Sequence, residues 1–261
     1  MKALPPVRIL SACDRCEVRR KSICNAVKPV LQKEISRISR VRTFEAGNTI
    51  LAEAEDSVFL GIVMSGILRV QRTMADGRQQ IVGLLLPADF FGRVFERTSG
   101  VAVEAATDVT LCCFERHAFE RLLSRSPELE HQMFLAVLRE LDAARDWMLL
   151  LGSQTIPERV ASFFLILHRR TTVIEPDMPS RKRRLSVHVP ISRHDMAAYL
   201  GTTVETISRV IQDMSRRGII EIHSPQHFGI LDEKRLVRCS GREELSIGHR
   251  CLADEPHMAV G

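Results

Sequence analysis

The sequence of 261 residues predicts an α+β protein in three successive parts. These are an antiparallel β domain, one long helix, and a small C-terminal domain of two short helices and a hairpin. Three observations carry this reading. Short β-rich runs separated by turn residues fill the stretch from about residue 41 to residue 114. A helical stretch opens at Pro127 and runs to Leu151 with no further Pro and no Gly. Residues 192–218 read as two helices around a tight turn, and two apolar runs follow that can pair.

The β-rich runs are 49–51, 58–64, 67–72, 80–86, 101–106 and 109–114. Gly, Asn, Asp and Pro clusters at 46–48, 65–66, 75–77 and 87–89 separate them. Strands at this spacing suggest an antiparallel sandwich or barrel. In the long helix, Phe134, Val137, Leu141, Ala144, Met148 and Leu151 recur at alternating spacings of three and four, which is a heptad seam. Such a stripe can pack on the chain's own sheet. Two full heptads after a β domain favour pairing with a second copy. Gly152-Ser153 is expected to end the helix. A further helix from Ile156 to about Arg170 leads into a polar stretch with the basic run Arg181-Lys182-Arg183-Arg184, a solvated loop that can also touch phosphate. Residues 219–222 and 228–231 read as a hairpin, so the helix pair and hairpin together make a winged helix. No periodicity is visible after Cys239.

Composition narrows the function classes. A hydrophobic fraction of 45% is globular, and no run of about 18 apolar residues exists that would cross a membrane. Residues 1–10 carry two basic residues and two prolines and no apolar core, so a cytoplasmic protein is expected. The net charge of +5 suits a polyanion partner. No phosphate-cradling glycine loop and no nucleophile–base pair is evident, and the nine histidines are scattered, so no enzyme is expected. Seven cysteines, an odd number without an export signal, argue against a disulfide scaffold and for metal ligation or redox chemistry.

The second short helix, roughly 204–217, has the chemistry of a base reader. Thr202 or Thr203 can cap it. Ile207, Val210 and Met214 form its buried stripe, while Glu205, Ser208 and Arg209 share another face near its N-terminal end. Arg209 can donate two hydrogen bonds to guanine, Glu205 can accept from cytosine, and Ser208 can do either. Ala197 is small where the two helices must cross, and Gly201 supplies the turn.

The cysteines have their own logic. Cys13 and Cys16 are separated by two residues, and Cys24 follows after seven more. Three thiolates on one short loop chelate a single centre, zinc or iron–sulfur, and a fourth ligand is needed. Cys112 and Cys113 are the candidates. Neighbours on a strand point to opposite faces. Cys113 shares the apolar phase with Val109 and Leu111, and Cys112 shares the outward phase with Thr110. Cys112 is therefore taken as the fourth ligand and Cys113 as a small core residue. Cys239 and Cys251 receive no role.

The run Tyr199-Leu-Gly-Thr-Thr-Val-Glu-Thr-Ile-Ser-Arg209 resembles the helix-turn-helix of the CRP/FNR family of transcription regulators, within its oxygen-sensing FNR branch, and the cysteine spacing is similar to its FnrL-like members. The resemblance extends to about Arg238. It implies a cyclic-nucleotide-binding-like β-roll at 29–126, a dimerisation helix at 127–152, a winged helix-turn-helix domain at 153–238, a cysteine-rich arm at 1–28 and a tail at 239–261. It further implies a [4Fe-4S] cluster on Cys13, Cys16, Cys24 and Cys112, with Glu205, Ser208 and Arg209 as base readers. The implied assembly is a homodimer on double-stranded DNA with TTGAT-like half-sites, acting with RNA polymerase. Members of the branch carry an acidic seam residue in the region of Ala144, and an alanine there implies easier pairing without the cluster. The nucleotide-binding branch carries a ribose-binding acid after Phe-Gly. Here that stretch reads Phe91-Gly92-Arg93-Val94-Phe95, so no cyclic nucleotide is expected. The alternative is a regulator of the same fold whose thiols hold zinc or act as a redox switch.

Overall fold

The structure is a computed structural model that describes residue 13 and residues 16–25, 27–77, 79–174 and 185–241. The basic run 181–184, Cys251 and most of the tail lie outside the described residues.

Helix α1 (Pro29–Ile38) opens with proline in its first turn, where a missing N–H costs nothing, and buries Leu31 and Ile35 one turn apart. Eight strands follow. They are β1 (Ser39–Phe44), β2 (Thr49–Leu51), β3 (Phe59–Ser65), β4 (Leu68–Thr73), β5 (Gln79–Leu85), β6 (Phe90–Phe91), β7 (Ala102–Ala105) and β8 (Val109–Glu115). All six expected runs are strands with ends displaced by at most one residue. The expectation did not include β1 and the two-residue β6.

The strands form two four-stranded sheets, β1-β8-β3-β6 and β2-β7-β4-β5. Every pairing in them is antiparallel. Between the sheets lies a core that includes Val63, Leu68, Phe91, Val103, Leu111 and Cys113. The outer face of the first sheet is not left to water. Helix α2 (Arg116–Leu123), α1 and the N-terminal segment cover it, and their side chains build a second core with Leu60, Ile62 and Phe114. Helix α2 starts where Glu115 caps it by accepting from the N–H groups of His117 and Ala118.

Helix α3 (Pro127–Ser153) has 27 residues and spans about 40 Å at 1.5 Å per residue. It ends at Gly152-Ser153, as expected, with Gln154 as its C-cap. Glycine in a last turn costs only about 1 kcal/mol, and Leu150, 2% exposed, anchors that turn to the core.

Helix α4 (Ile156–Ile174), β9 (Leu185–His188), α5 (Arg193–Leu200), α6 (Val204–Arg216), β10 (Ile220–Ile222), β11 (His227–Ile230) and α7 (Glu233–Cys239) complete the chain. The hairpin β10-β11 gains β9 as a third strand, in the order β10-β11-β9. This winged helix encloses a third core, with Phe163, Phe164, Met196, Ile207 and Phe228 fully covered. Ile67 and Leu86 of the β domain belong to the same cluster. No helix among the described residues is long and apolar enough to cross a membrane.

Candidate functional site

The alternation of β8 decides where the two adjacent thiols go. Cys113, 2% exposed, belongs to the core between the sheets. Cys112 lies opposite Val41 on β1 and Ile62 on β3 and turns to the other face, among the residues that pack under the N-terminal segment. Gly61 makes this register possible: a Cβ there would collide with the Cys112 carbonyl.

The N-terminal segment lies over that face. A short 3₁₀ turn (Arg19–Lys21) folds it back, and Val18 and Ile23 are buried beneath it. The N–H of Arg19 donates to the Cys16 carbonyl at 3.2 Å. Ser22, itself buried, donates its hydroxyl to the Arg19 carbonyl at 3.1 Å and accepts from the Cys24 N–H at 3.3 Å. The result is one cavity whose wall includes Cys13, Cys16, Cys24 and Cys112, with Val18, Val27, Ile35 and Ile62 as apolar neighbours. All four expected ligands are thus brought together. Among the described residues, no three His, Cys, Asp or Glu side chains stand close enough to grip a single metal ion.

The electrostatics report the same crowding. Burial raises Cys112 above the ordinary thiol value, and the nearby Cys24, Cys13 and Cys16 push it further. Burial first, and Cys13 next, push Cys24 up to about 12. Cys16 is also raised by burial, against the pull of the Val18 and Arg19 backbone N–H groups. Cys113 is pushed up to about 12 by burial, opposed only by the Arg42 guanidinium. Cys16, Cys24 and Cys112 therefore stay neutral unless a cationic centre binds them as thiolates.

The cavity is continuous with the start of α3. Ile35 lines it and belongs to the same apolar cluster as Phe119, Leu129 and Met133. Lys28 also pairs with Glu128 at 2.6 Å and Arg125 with Glu34 at 2.9 Å. Both pairs are exposed and add little stability. No expectation covered α1, although Pro29 followed by Leu31 and Ile35 at helical spacing was a readable signature.

The expected seam of α3 is largely bare. Phe134 is 59% exposed, Val137 47%, Leu141 42% and Met148 59%. Ala144 is exposed as well. Leu151 differs: it is half-buried against the winged-helix core, so the last seam position is partly claimed by the chain's own C-terminal domain. A stripe packed on its own sheet would not show such exposure.

Helix α6 has the expected two faces. Ile207, Val210, Ile211 and Met214 are buried. The N-cap is Thr203, whose hydroxyl accepts from the Thr206 N–H at 3.3 Å. Glu205 is exposed, and its own backbone N–H, followed by the Thr203 side chain, holds its carboxyl below the usual range. It stands as an acceptor. Arg209 is exposed with no ion pair to another described residue, and Ser208 is half-buried beside it. Ala197, 4% exposed, lets α5 cross closely, and Gly201 makes the turn at φ +65°. Cys239 ends α7 against the winged-helix core, with nothing to suggest a ligand role.

Comparison with known proteins agrees with this architecture. Residues 158–239 match the family model of the Crp-like helix-turn-helix domain, and residues 41–126 match that of the cyclic nucleotide-binding domain. The chain is 36% identical to the transcriptional activator protein FnrL of Cereibacter sphaeroides, over 89% of this chain and 93% of the relative. It is 39% identical to a probable transcriptional activator of Rhizobium leguminosarum, over 87% of this chain and 92% of that one. Among solved structures, that of FixK2 from Bradyrhizobium japonicum is similar with a TM-score of 0.69 at 28% identity, covering 77% of this chain and 97% of that chain.

Proposed function

The chain belongs to the CRP/FNR family of transcriptional regulators, as a DNA-binding regulator rather than an enzyme, and we propose that it is an oxygen-responsive member. In this reading Cys13, Cys16, Cys24 and Cys112 hold a [4Fe-4S] cluster. A homodimer joined along α3 then reads an inverted repeat of TTGAT-like half-sites with Glu205, Ser208 and Arg209, and acts with RNA polymerase when oxygen is low.

One observation carries the proposal: three thiols of the N-terminal segment and the outward thiol of β8 share the wall of one cavity. The donor set suits the group. Thiolate is the ligand such clusters take, and four are present. A tetrahedral zinc with bonds of about 2.3 Å would draw its sulfurs to about 3.8 Å from one another. Among the described residues no three such side chains form a site for a single ion. A polynuclear centre, offering a separate iron to each thiolate, accepts donors spread around a wider wall. When bound, such a cluster supplies a redox-labile tether that oxygen can attack.

The chain's own residues supply the rest. Ligation by Cys13, Cys16 and Cys24 holds the N-terminal segment down, and with it Val18, Ile23 and Ile35 on the cluster that includes Leu129 and Met133. That packing fixes the first turns of α3 as far as Met133, one residue before Phe134 opens the seam. A protomer with a firmly seated α3 presents Phe134, Val137, Leu141 and Met148 to a second copy. The two-fold dimer then matches a palindromic site. A cyclic nucleotide has no part in this reading. Arg93, which stands where a ribose-binding acid would be needed, is turned to Glu96 at 2.5 Å.

The test is the iron, sulfide and zinc content of protein purified without air, with its visible spectrum and operator binding before and after air. The proposal expects iron and sulfide in equal amounts, and absorbance and operator affinity that fall together on exposure. Zinc without sulfide, or unchanged operator binding in air, would overturn it.

A further inference from the structure

We infer that Arg69 is a positioning residue for DNA reading: it ties the second sheet of the β domain to α5, and so sets the pitch of α6 relative to the α3 seam.

Arg69 lies on β4 directly opposite Glu104 on β7. Its Nε and Nη2 donate to Glu104 Oε2 at 3.3 and 2.9 Å. Its Nη1 reaches across to the C-terminal domain and donates to Asp195 Oδ1 at 2.7 Å. Asp195 is 5% exposed. Its other oxygen accepts from the Ser192 hydroxyl at 2.8 Å, and the Ser192 oxygen accepts the Asp195 N–H at 3.0 Å. One carboxylate therefore joins the cap of α5 to the sheet. Charge-assisted hydrogen bonds of this length are directional as well as strong. A guanidinium shared between two carboxylates holds one orientation, which an ammonium would not.

The other end of α5 is held independently. The Gln80 side-chain amide on β5 donates to the Ala198 carbonyl at 2.7 Å, a group in the last turn with no helical partner of its own. A third tie lies on α4, where Arg170 donates to both oxygens of Asp89 at 3.0 and 2.5 Å. The first and last turns of α5 are thus fastened to adjacent strands of one sheet. Gly201 joins α5 to α6 by a tight turn, so a tilt of α5 is passed on to the base-reading face. In a dimer the two copies of α6 must meet half-sites about one helical turn, roughly 34 Å, apart. A swivelling C-terminal domain would have to lose that freedom on binding. The Arg69 tie removes it beforehand.

The inference needs only the DNA-reading role of α6 and not the thiol centre. The probe is an operator selected in vitro for binding to the unaltered full-length dimer, and a second fragment with one base pair inserted between its half-sites. Arg69→Ala should bind the selected operator about tenfold more weakly, within the usual range of coupling between sites. It should also lose part of the preference for native spacing, because a looser domain tolerates the insertion. Arg69→Ala combined with Asp195→Asn should cost little more than Arg69→Ala alone. Should Arg69→Ala fail to fold, Gln80→Ala removes the second tie and must weaken the spacing preference in the same direction. A spacing preference that survives these changes, whether affinity is unaltered or falls equally on both fragments, overturns the inference.

Discussion

Replacing Leu141 by aspartate tests the α3 seam at its centre. Leu141 is seven residues from Phe134 on one side and seven from Met148 on the other. It is 42% exposed in the protomer, and that fraction is what a partner helix would cover. Complete burial of a leucine is worth about 1.5–3 kcal/mol, so the covered fraction contributes roughly 1 kcal/mol per protomer and about 2 kcal/mol per dimer. Aspartate forfeits this gain and brings a carboxylate to the two-fold axis from each chain. Desolvating an unpaired charge costs several kcal/mol in a dry interface, and even partial desolvation of the two adds about 2 kcal/mol more. The sum, about 4 kcal/mol, corresponds to about a thousandfold rise in the dissociation constant. Light scattering across a concentration series reads this directly. Ala143→Asp is the control, since residue 143 is exposed one face away from the seam. Monomers are expected for Leu141→Asp and dimers for Ala143→Asp, with protomer melting temperatures close to that of the original chain. A dimer that survives Leu141→Asp at the same concentration would place the interface elsewhere.

The remaining expectations concern the thiols, the reading helix and the wing. Cys112→Ser should abolish the visible absorbance of anaerobically prepared protein while Cys113→Ser leaves it, because Cys113 faces the inter-sheet core; the opposite pattern would exchange their roles. Arg209→Ala should cost about 1–3 kcal/mol on the selected operator and relax choice at one base pair, as seen in competition binding. An equal loss on unrelated DNA would reduce Arg209 to a phosphate contact. In the wing, the His188 and His227 rings stack at 4.2 Å, and burial, then His227, lowers the pKa of His188. A folded value below the unfolded one means the stabilisation is present above the ordinary histidine range and is lost as pH falls through the folded value. The melting temperature should therefore drop between about pH 7 and 5, and His188→Gln should flatten that slope. An unchanged slope would show that another group titrates there.

Much of the fold was legible because its information is local. The six expected strands are alternating runs punctuated by turn residues, and the α3 seam is a heptad repeat, so short windows suffice to find them. The same period-two rule separated Cys112 from Cys113 without any knowledge of what either faced. Elements that failed to announce themselves had too little pattern. Strand β6 has two residues, and β9 gains its place only by pairing with β11. The end of α3, by contrast, was marked locally by Gly152-Ser153.

The sequence by itself determined which face each side chain would occupy: the apolar stripe of α6 against its polar edge, the outward phase of Cys112, and the seam positions of α3. Those follow from the fixed periods of helix and strand and need no partner. Which faces would meet was left to the tertiary structure. Cys24 and Cys112 share a cavity because α1 and the N-terminal turn fold back over β8, and Arg69 finds Asp195 across 126 positions of chain. Contacts at such separation leave no periodic trace, because they are selected by the packing of whole layers rather than by the conformational preferences of neighbouring residues.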